Sequence, residues 1–220
     1  MGWLFGKSVE MVSVEDALKG GRTPVLEYPQ PHTVLGTPIT GPWLPEQRSV
    51  LIGIGCFWGA EKLFWQLNGV QSTSVGYAGG YTPNPTYREV CTGRTGHTEV
   101  VEVVYDPAQI TLDEIITAAL EAHDPTQGFR QGNDVGTQYR SAFYTIGEHA
   151  LADAAIIQQR LAAYAVRLQQ HGFGPITTEV CALVDTPAGE YYLAENYHQQ
   201  YLDKNPDGYC PHHSTGVACG

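Results

Sequence analysis

Ser49-Val50-Leu51-Ile52-Gly53-Ile54-Gly55-Cys56-Phe57-Trp58-Gly59 is the stretch on which the reading of this chain turns. Its first half is a short apolar run suited to a buried strand. Beyond it, Ala60, Leu63, Phe64 and Leu67 recur at i, i+3, i+4 and i+7, the spacing of an apolar helix face. A cysteine therefore stands where a strand gives way to a helix. The first turn of a helix carries unpaired N–H groups and roughly +0.5 elementary charge, which favours a thiolate there. Flanking glycines permit a tight turn and the close approach of a substrate. Phe57 and Trp58 offer an aromatic wall, on which a thioether or S-methyl group packs well. A lone cysteine is more often a small core residue, and it is this setting that marks Cys56 as a nucleophile.

Working outward, strands are expected at residues 72–77, 97–105, 141–146 and 177–184. Residues 79–85 form a Gly- and Pro-rich loop between the first two of these. Thr111 and Glu114 make a capping box for a helix through Leu120. A longer helix carries Ala150, Ala154, Ile157, Leu161, Tyr164 and Leu168 on one side. Residues 1–48 are rich in Pro, Gly and Thr and read as an extended arm, with one short helix near 14–18. From 191 onward periodicity is lost. The expectation is an α+β single domain: an arm (1–48), a catalytic core (49–190) and an irregular tail (191–220). The core should hold a mixed, mostly antiparallel, ferredoxin-like sheet packed by helices.

The 220 residues are 42% hydrophobic and 16% charged, the balance of a soluble globular chain. A net charge of -11 argues against a nucleic-acid partner. No apolar stretch approaches the ~18 residues of a membrane span. Trp3, Leu4 and Phe5 are cut off by Gly6, Lys7 and Glu10 before they could form a signal segment. A cytoplasmic monomer without membrane contact is expected. The cysteines are Cys56, Cys91, Cys181, Cys210 and Cys219, an odd count that favours redox or nucleophilic chemistry over a disulfide framework.

In the 97–105 strand, alternation puts Glu99 on one face with Val101, Val103 and Tyr105. A carboxyl on an apolar face is desolvated, so its pKa rises and it can act as a general acid near neutrality.

Gly55-Cys56-Phe57-Trp58-Gly59 resembles the signature of the A-type peptide methionine sulfoxide reductases. The similarity continues through Tyr77-Ala78-Gly79-Gly80-Tyr81-Thr82-Pro83-Asn84-Pro85-Thr86-Tyr87, Gly96-His97-Thr98-Glu99 and Asp124-Pro125. It then takes in Gln131-Gly132-Asn133-Asp134, Gly136-Thr137-Gln138-Tyr139-Arg140-Ser141 and Tyr197-His198-Gln199-Gln200-Tyr201-Leu202. The resemblance implies reduction of the S-epimer of methionine sulfoxide, free or in proteins, with electrons from thioredoxin or a related small redoxin. It places the family's catalytic glutamate at Glu99 and its oxygen-holding tyrosines at Tyr87 and Tyr139. Phe57 and Trp58 are expected to bind substrate, with Asp134 matching the family aspartate near the site. Asp207-Gly208-Tyr209-Cys210 matches the resolving motif. The implied cycle passes through a Cys56 sulfenic acid, a Cys56–Cys210 disulfide and a Cys210–Cys219 disulfide, with no cofactor and no metal. The irregular tail suits thiols that must travel.

Two other readings use the same residues. Cys56 with His97 or His198 would make a cysteine hydrolase. Cys210, His212, His213 and Cys219 would make a zinc-binding tail of an interaction protein. Cys181 reads as structural, and Cys91 falls in a loop.

Overall fold

The computed structural model of the chain describes residues 9–209 and 213–220. β1 (Arg48–Ile54) runs into the Gly55-Cys56 bend, and α1 (Phe57–Trp65) starts at once. Then come β2 (Val70–Ala78), α2 (Tyr87–Cys91), β3 (Thr98–Tyr105) and α3 (Leu112–Ala122). A small hairpin of β4 (Arg130–Gln131) and β5 (Asp134–Val135) precedes β6 (Ser141–Thr145). The chain continues through α4 (Ala150–Gln170), β7 (Glu179–Ala182), β8 (Tyr192–Leu193) and α5 (Tyr201–Lys204).

Among the described residues the main sheet has the order β7-β6-β1-β3-β2-β8. Its pairings are antiparallel except for β6 with β7, which is parallel. Within it, β1-α1-β2-β3-α3-β6 lies in the spatial order β6-β1-β3-β2, the ferredoxin-like arrangement. The fold is a single α+β domain with a mixed, mostly antiparallel sheet, as the sequence suggests.

α1, α3 and α4 cover one face of the sheet. There Ile52, Phe64, Val101, Val103, Ile115, Ile116, Phe143 and Tyr164 make the main core. The alternation of β3 holds, and Glu99 has the parity of Val101, Val103 and Tyr105. The opposite face is also buried. Leu51, Ala78, Val100, Ala142 and Tyr144 pack under Leu183 and Tyr191, and the Trp43 indole donates to Glu102 at 3.2 Å.

The arm has neither helix nor strand at residues 9–47. Residues 14–16 form a turn instead of the expected helix: Ser13 Oγ accepts the Asp16 N–H, and the Leu18 N–H is drawn away to the Arg94 carbonyl. Leu26, His32 and Ile39 are buried. The arm is also tied to β2 by Thr37 Oγ1 donating to the Gln71 carbonyl and by Ser72 Oγ donating to the Pro38 carbonyl. α2 was not visible as a helix because it is one short turn in a Gly/Pro-rich region. It exists because Thr86 and Glu89 close a capping box around it.

Gly55 makes the bend that presents Cys56. Its φ is +103°, and an added Cβ would lie 2.8 Å from both Cβ and Cγ of Gln131. Gln131 is itself fixed, since its amide exchanges hydrogen bonds with the backbone of Asp124. Gly55→Ala is therefore expected to cost about 1–3 kcal/mol. Urea unfolding should show the midpoint falling at unchanged m-value.

Candidate active site

Cys56 is the N-cap of α1 and makes no side-chain cap to the helix backbone. The first N–H groups of α1 are instead shared out. The Phe57 N–H donates to Glu99 Oε2 at 3.0 Å, while those of Trp58 and Gly59 face the Cys56 sulfur without capping it and act to lower its pKa. They do not prevail. Burial, followed by the charge of Glu99, pushes the Cys56 thiol well above the ordinary thiol range. This departs from the thiolate expected at a helix start. The helix field is present, but a half-buried sulfur beside a buried carboxylate loses more solvation than the field returns.

Glu99 reaches this position because β3 lies beside β1, and its register pairs Glu99 with Tyr77 of β2. It is fully enclosed. Desolvation raises its pKa to about 8 against the pull of the Phe57 N–H, and Asp134 adds to the rise. At neutral pH Glu99 holds its proton, so its penalty on Cys56 is largely switched off.

Tyr87 opens α2 and Tyr139 closes a 3₁₀ turn (Thr137–Tyr139). Both hydroxyls have raised pKa values, from burial first and then from Glu99, so both stay protonated donors near the acid. Arg140 fixes the turn that carries Tyr139: it donates to the Thr137 carbonyl at 3.0 Å and to Glu179 at 2.9 Å. Tyr87 is held at its backbone, where its N–H donates to Glu195 at 2.8 Å.

The aromatic wall is larger than Phe57 and Trp58. Trp58 stacks on Tyr201 at 3.9 Å, and its indole N–H donates to His198 Nδ1 at 3.2 Å. The His198 ring lies 4.3 Å from that of Tyr87 and 5.5 Å from that of Phe57. The sequence reading missed Glu195, Arg140 and the positioning roles of His198 and Tyr201. Three of these sit inside or beside the quoted motifs, which showed that they matter without showing what they touch. On its other side Cys56 borders a cavity of about 250 Å³ lined by Ile54, Gly59, Ala60, Leu63, Gln131 and His213 among others, none of them Glu99 or a site tyrosine.

Asp134, on β5, accepts from the Tyr209 hydroxyl at 3.2 Å, which places the residue before Cys210 beside the site. Cys210 and His212 lie outside the described residues. Cys219 is not exposed as its expected role requires. It is 2% accessible, within the core, and burial raises its pKa to about 11. Its N–H donates to Glu121 of α3, while Arg160 and Arg167 of α4 hold the carbonyls of Gly220 and Ala218. Cys91 is exposed at the end of α2, and Cys181 is half-buried in β7.

His97 cannot serve as a base for Cys56. Its Nδ1 accepts from the Gly80 N–H and its Nε2 meets the Thr82 carbonyl. His198 Nδ1 is committed to Trp58. His213 borders the cavity beside Cys56, whereas Cys219 sits between α3 and α4.

Glu99→Gln removes the second-largest cause of the raised Cys56 pKa. Alkylation of Cys56 by iodoacetamide should then reach half its limiting rate at lower pH than in the parent chain, and a midpoint unchanged or higher would contradict the assignment. In the same experiment Cys91 should be alkylated well before Cys219, as read by peptide mass spectrometry.

Similarity to known proteins extends over almost the whole chain. The family described as peptide methionine sulfoxide reductase matches residues 48–218. The peptide methionine sulfoxide reductase of Corynebacterium efficiens is 67% identical over 221 residues, covering 100% of this chain and 99% of that protein. That of Synechocystis sp. is 54% identical over 216 residues, covering 98% and 93%. The structure of methionine sulfoxide reductase A of Corynebacterium diphtheriae aligns with a TM-score of 0.88 at 64% identity, over 96% of this chain and 98% of that one. Mxr1 from Saccharomyces cerevisiae in reduced form aligns with a TM-score of 0.66 at 34% identity, over 78% and 94%. By sequence along its whole length and by fold, the chain belongs to the peptide methionine sulfoxide reductase family.

Proposed function

We propose that the chain reduces the S-epimer of methionine sulfoxide to methionine, with Cys56 as nucleophile and Glu99 as acid. The observation that carries this reading is the enclosed Glu99 carboxyl bound to the N–H of the residue after Cys56, where burial raises its pKa to about 8. A sulfoxide oxygen leaves poorly as an anion, so the reaction needs a proton delivered in a dry place.

The Cys56 sulfur attacks the sulfoxide sulfur while Glu99 gives its proton to the oxygen, and the thiol proton replaces the one Glu99 has lost. Tyr87 and Tyr139 donate hydrogen bonds to the same oxygen as its charge grows. Phe57 and Trp58 hold the S-methyl group, and Asp134 orders the polar end of the substrate. The hydroxyl then passes to Cys56, leaving methionine, two electrons richer, and a Cys56 sulfenic acid. The Cys210 thiol displaces that hydroxyl as water and forms a Cys56–Cys210 disulfide. Attack by Cys219 on the Cys210 sulfur releases Cys56 and leaves Cys210–Cys219, which thioredoxin or a similar dithiol reduces. The role is protein repair under oxidative stress, in a cytoplasmic and monomeric enzyme. Among the described residues no helix is long and apolar enough to cross a membrane. Our proposed division of the chain keeps the arm, core and tail at 1–48, 49–190 and 191–220.

Cys56→Ser should abolish reduction of the S-epimer, and Glu99→Gln should lower kcat by about 10²–10⁴. In the parent chain the rate should fall as pH rises through about 8, where Glu99 gives up its proton. That limb should be missing in Glu99→Gln. With thioredoxin as reductant, Cys210→Ser and Cys219→Ser should each release about one methionine per chain and stall. Full turnover by Cys210→Ser would overturn the relay, and reduction of the R-epimer alone would overturn the substrate assignment.

A further inference from the structure

His32 belongs to the arm, yet it is 1% exposed and stands edge-on to Trp65 of α1 at 5.7 Å. Its Nδ1 accepts the backbone N–H groups of Val34 and Leu35, both at 3.1 Å. A ring nitrogen that accepts carries no hydrogen, so the proton of the neutral imidazole is on Nε2. Burial keeps the ring neutral by lowering its pKa to about 4. Nε2 therefore donates to Thr73 Oγ1 at 2.8 Å, and the Thr73 hydroxyl donates onward to Glu61 Oε1 at 3.1 Å.

Glu61 lies on the buried face of α1 and is fully enclosed. It accepts the backbone N–H of Gln200 on one oxygen and the Gln200 side-chain amide on the other, each at 2.8 Å. Gln200 needs this hold, because its φ of +45° is unusual for a residue with a side chain. Its side-chain oxygen also accepts the Thr33 N–H, a second tie to the arm. Two residues earlier stands His198, the acceptor for the Trp58 indole. Every hydrogen along this buried line points towards Glu61.

We infer that His32, Thr73, Glu61 and Gln200 form a hydrogen-bond line converging on Glu61 through which the N-terminal arm sets the Trp58–His198 wall of the reductase site, so that His32 and Thr73 are positioning residues. The inference rests on the function proposed above for what the wall binds, though not for the line itself. Nothing in the arm's composition or periodicity pointed to it.

The test uses the full chain. Thr73→Val cuts the line with almost no change of shape, and Thr73→Ser keeps it. His32→Phe keeps a ring against Trp65 and removes the donor, together with the acceptor of the Val34 and Leu35 N–H groups. Thr73→Val and His32→Phe should each lower kcat/KM for methionine sulfoxide about tenfold, the scale of one buried group left unpaired. The loss should fall mainly on KM, because the wall binds the substrate. The double variant should lose no more than either single one. Thr73→Ser should match the parent. The indole N–H resonance of Trp58, seen by NMR without substrate, should move in the two disruptive variants and stay in Thr73→Ser.

Folded variants that lose thermal stability but keep KM and the Trp58 resonance would overturn the inference, as would additive losses in the double variant. If His32→Phe does not fold, Thr73→Val decides alone. If the parent chain reduces no sulfoxide, the proposed function fails while the Trp58 resonance still judges the line.

Discussion

The free N–H groups at the start of α1 are the scarce resource of this structure. An ordinary helix gives them to a Ser, Thr or Asp cap or to water. Here the cap position holds a cysteine that makes no side-chain cap to the helix backbone. One N–H goes to Glu99 and the next ones face the Cys56 sulfur. This division sets the proposed nucleophile and the proposed acid against the same helix start. It exists only if β1 and β3 are neighbours, if Gly55 bends with a positive φ, and if Gln131 lies beneath the bend. The sheet register and the small β4–β5 hairpin thus serve one short segment of backbone.

The same division explains the unusual charge state of the site. No arginine or lysine is among the leading causes of the shifts at Cys56 or Glu99, whereas Asp134 raises both. A buried site whose leading charged neighbours are carboxyl groups keeps its protons. For Glu99 that is an advantage, because a carboxyl with a pKa of about 8 is stocked with its proton at neutral pH. For Cys56, the proposed nucleophile, the result is a thiol that keeps its proton. With Glu99 protonated, most of the electrostatic penalty on a thiolate disappears and burial is left as the main obstacle. In the proposed mechanism the thiol gives up its proton to Glu99 only as a substrate oxygen draws the one Glu99 holds, so no free thiolate stands exposed to unspecific oxidation.

The parts of this design visible in the sequence were those with a period or a turn chemistry. The apolar run before Gly55, the alternation that puts Glu99 with Val101 and Val103, and the Thr111–Glu114 capping box each follow from local rules. What stayed hidden depends on contacts between residues far apart in the chain. Glu195 meets the Tyr87 N–H across 108 positions, and Glu61 meets Gln200 across 139. Neither carries a local signal beyond a carboxyl in an apolar or irregular setting. The thiolate inference failed for a related reason. A helix start can be recognised from sequence, but the burial that outweighs it belongs to the packed molecule. Similarly, the tail was legible as irregular but not as docked.

That docking sets the order of events in the proposed cycle. Cys219 is enclosed, its N–H is tied to Glu121, and two arginines of α4 hold the carbonyls on either side of it. Tyr164 adds a hydrogen bond to the Val217 carbonyl at 3.0 Å. A thiol in that place, with its pKa at about 11, cannot compete for a fresh sulfenic acid on Cys56. Docking therefore delays the second exchange until the first disulfide has formed. In the proposed cycle, burial makes Cys219 the last thiol to react, and release of the contacts that hold Val217, Cys219 and Gly220 must precede its attack on the first disulfide.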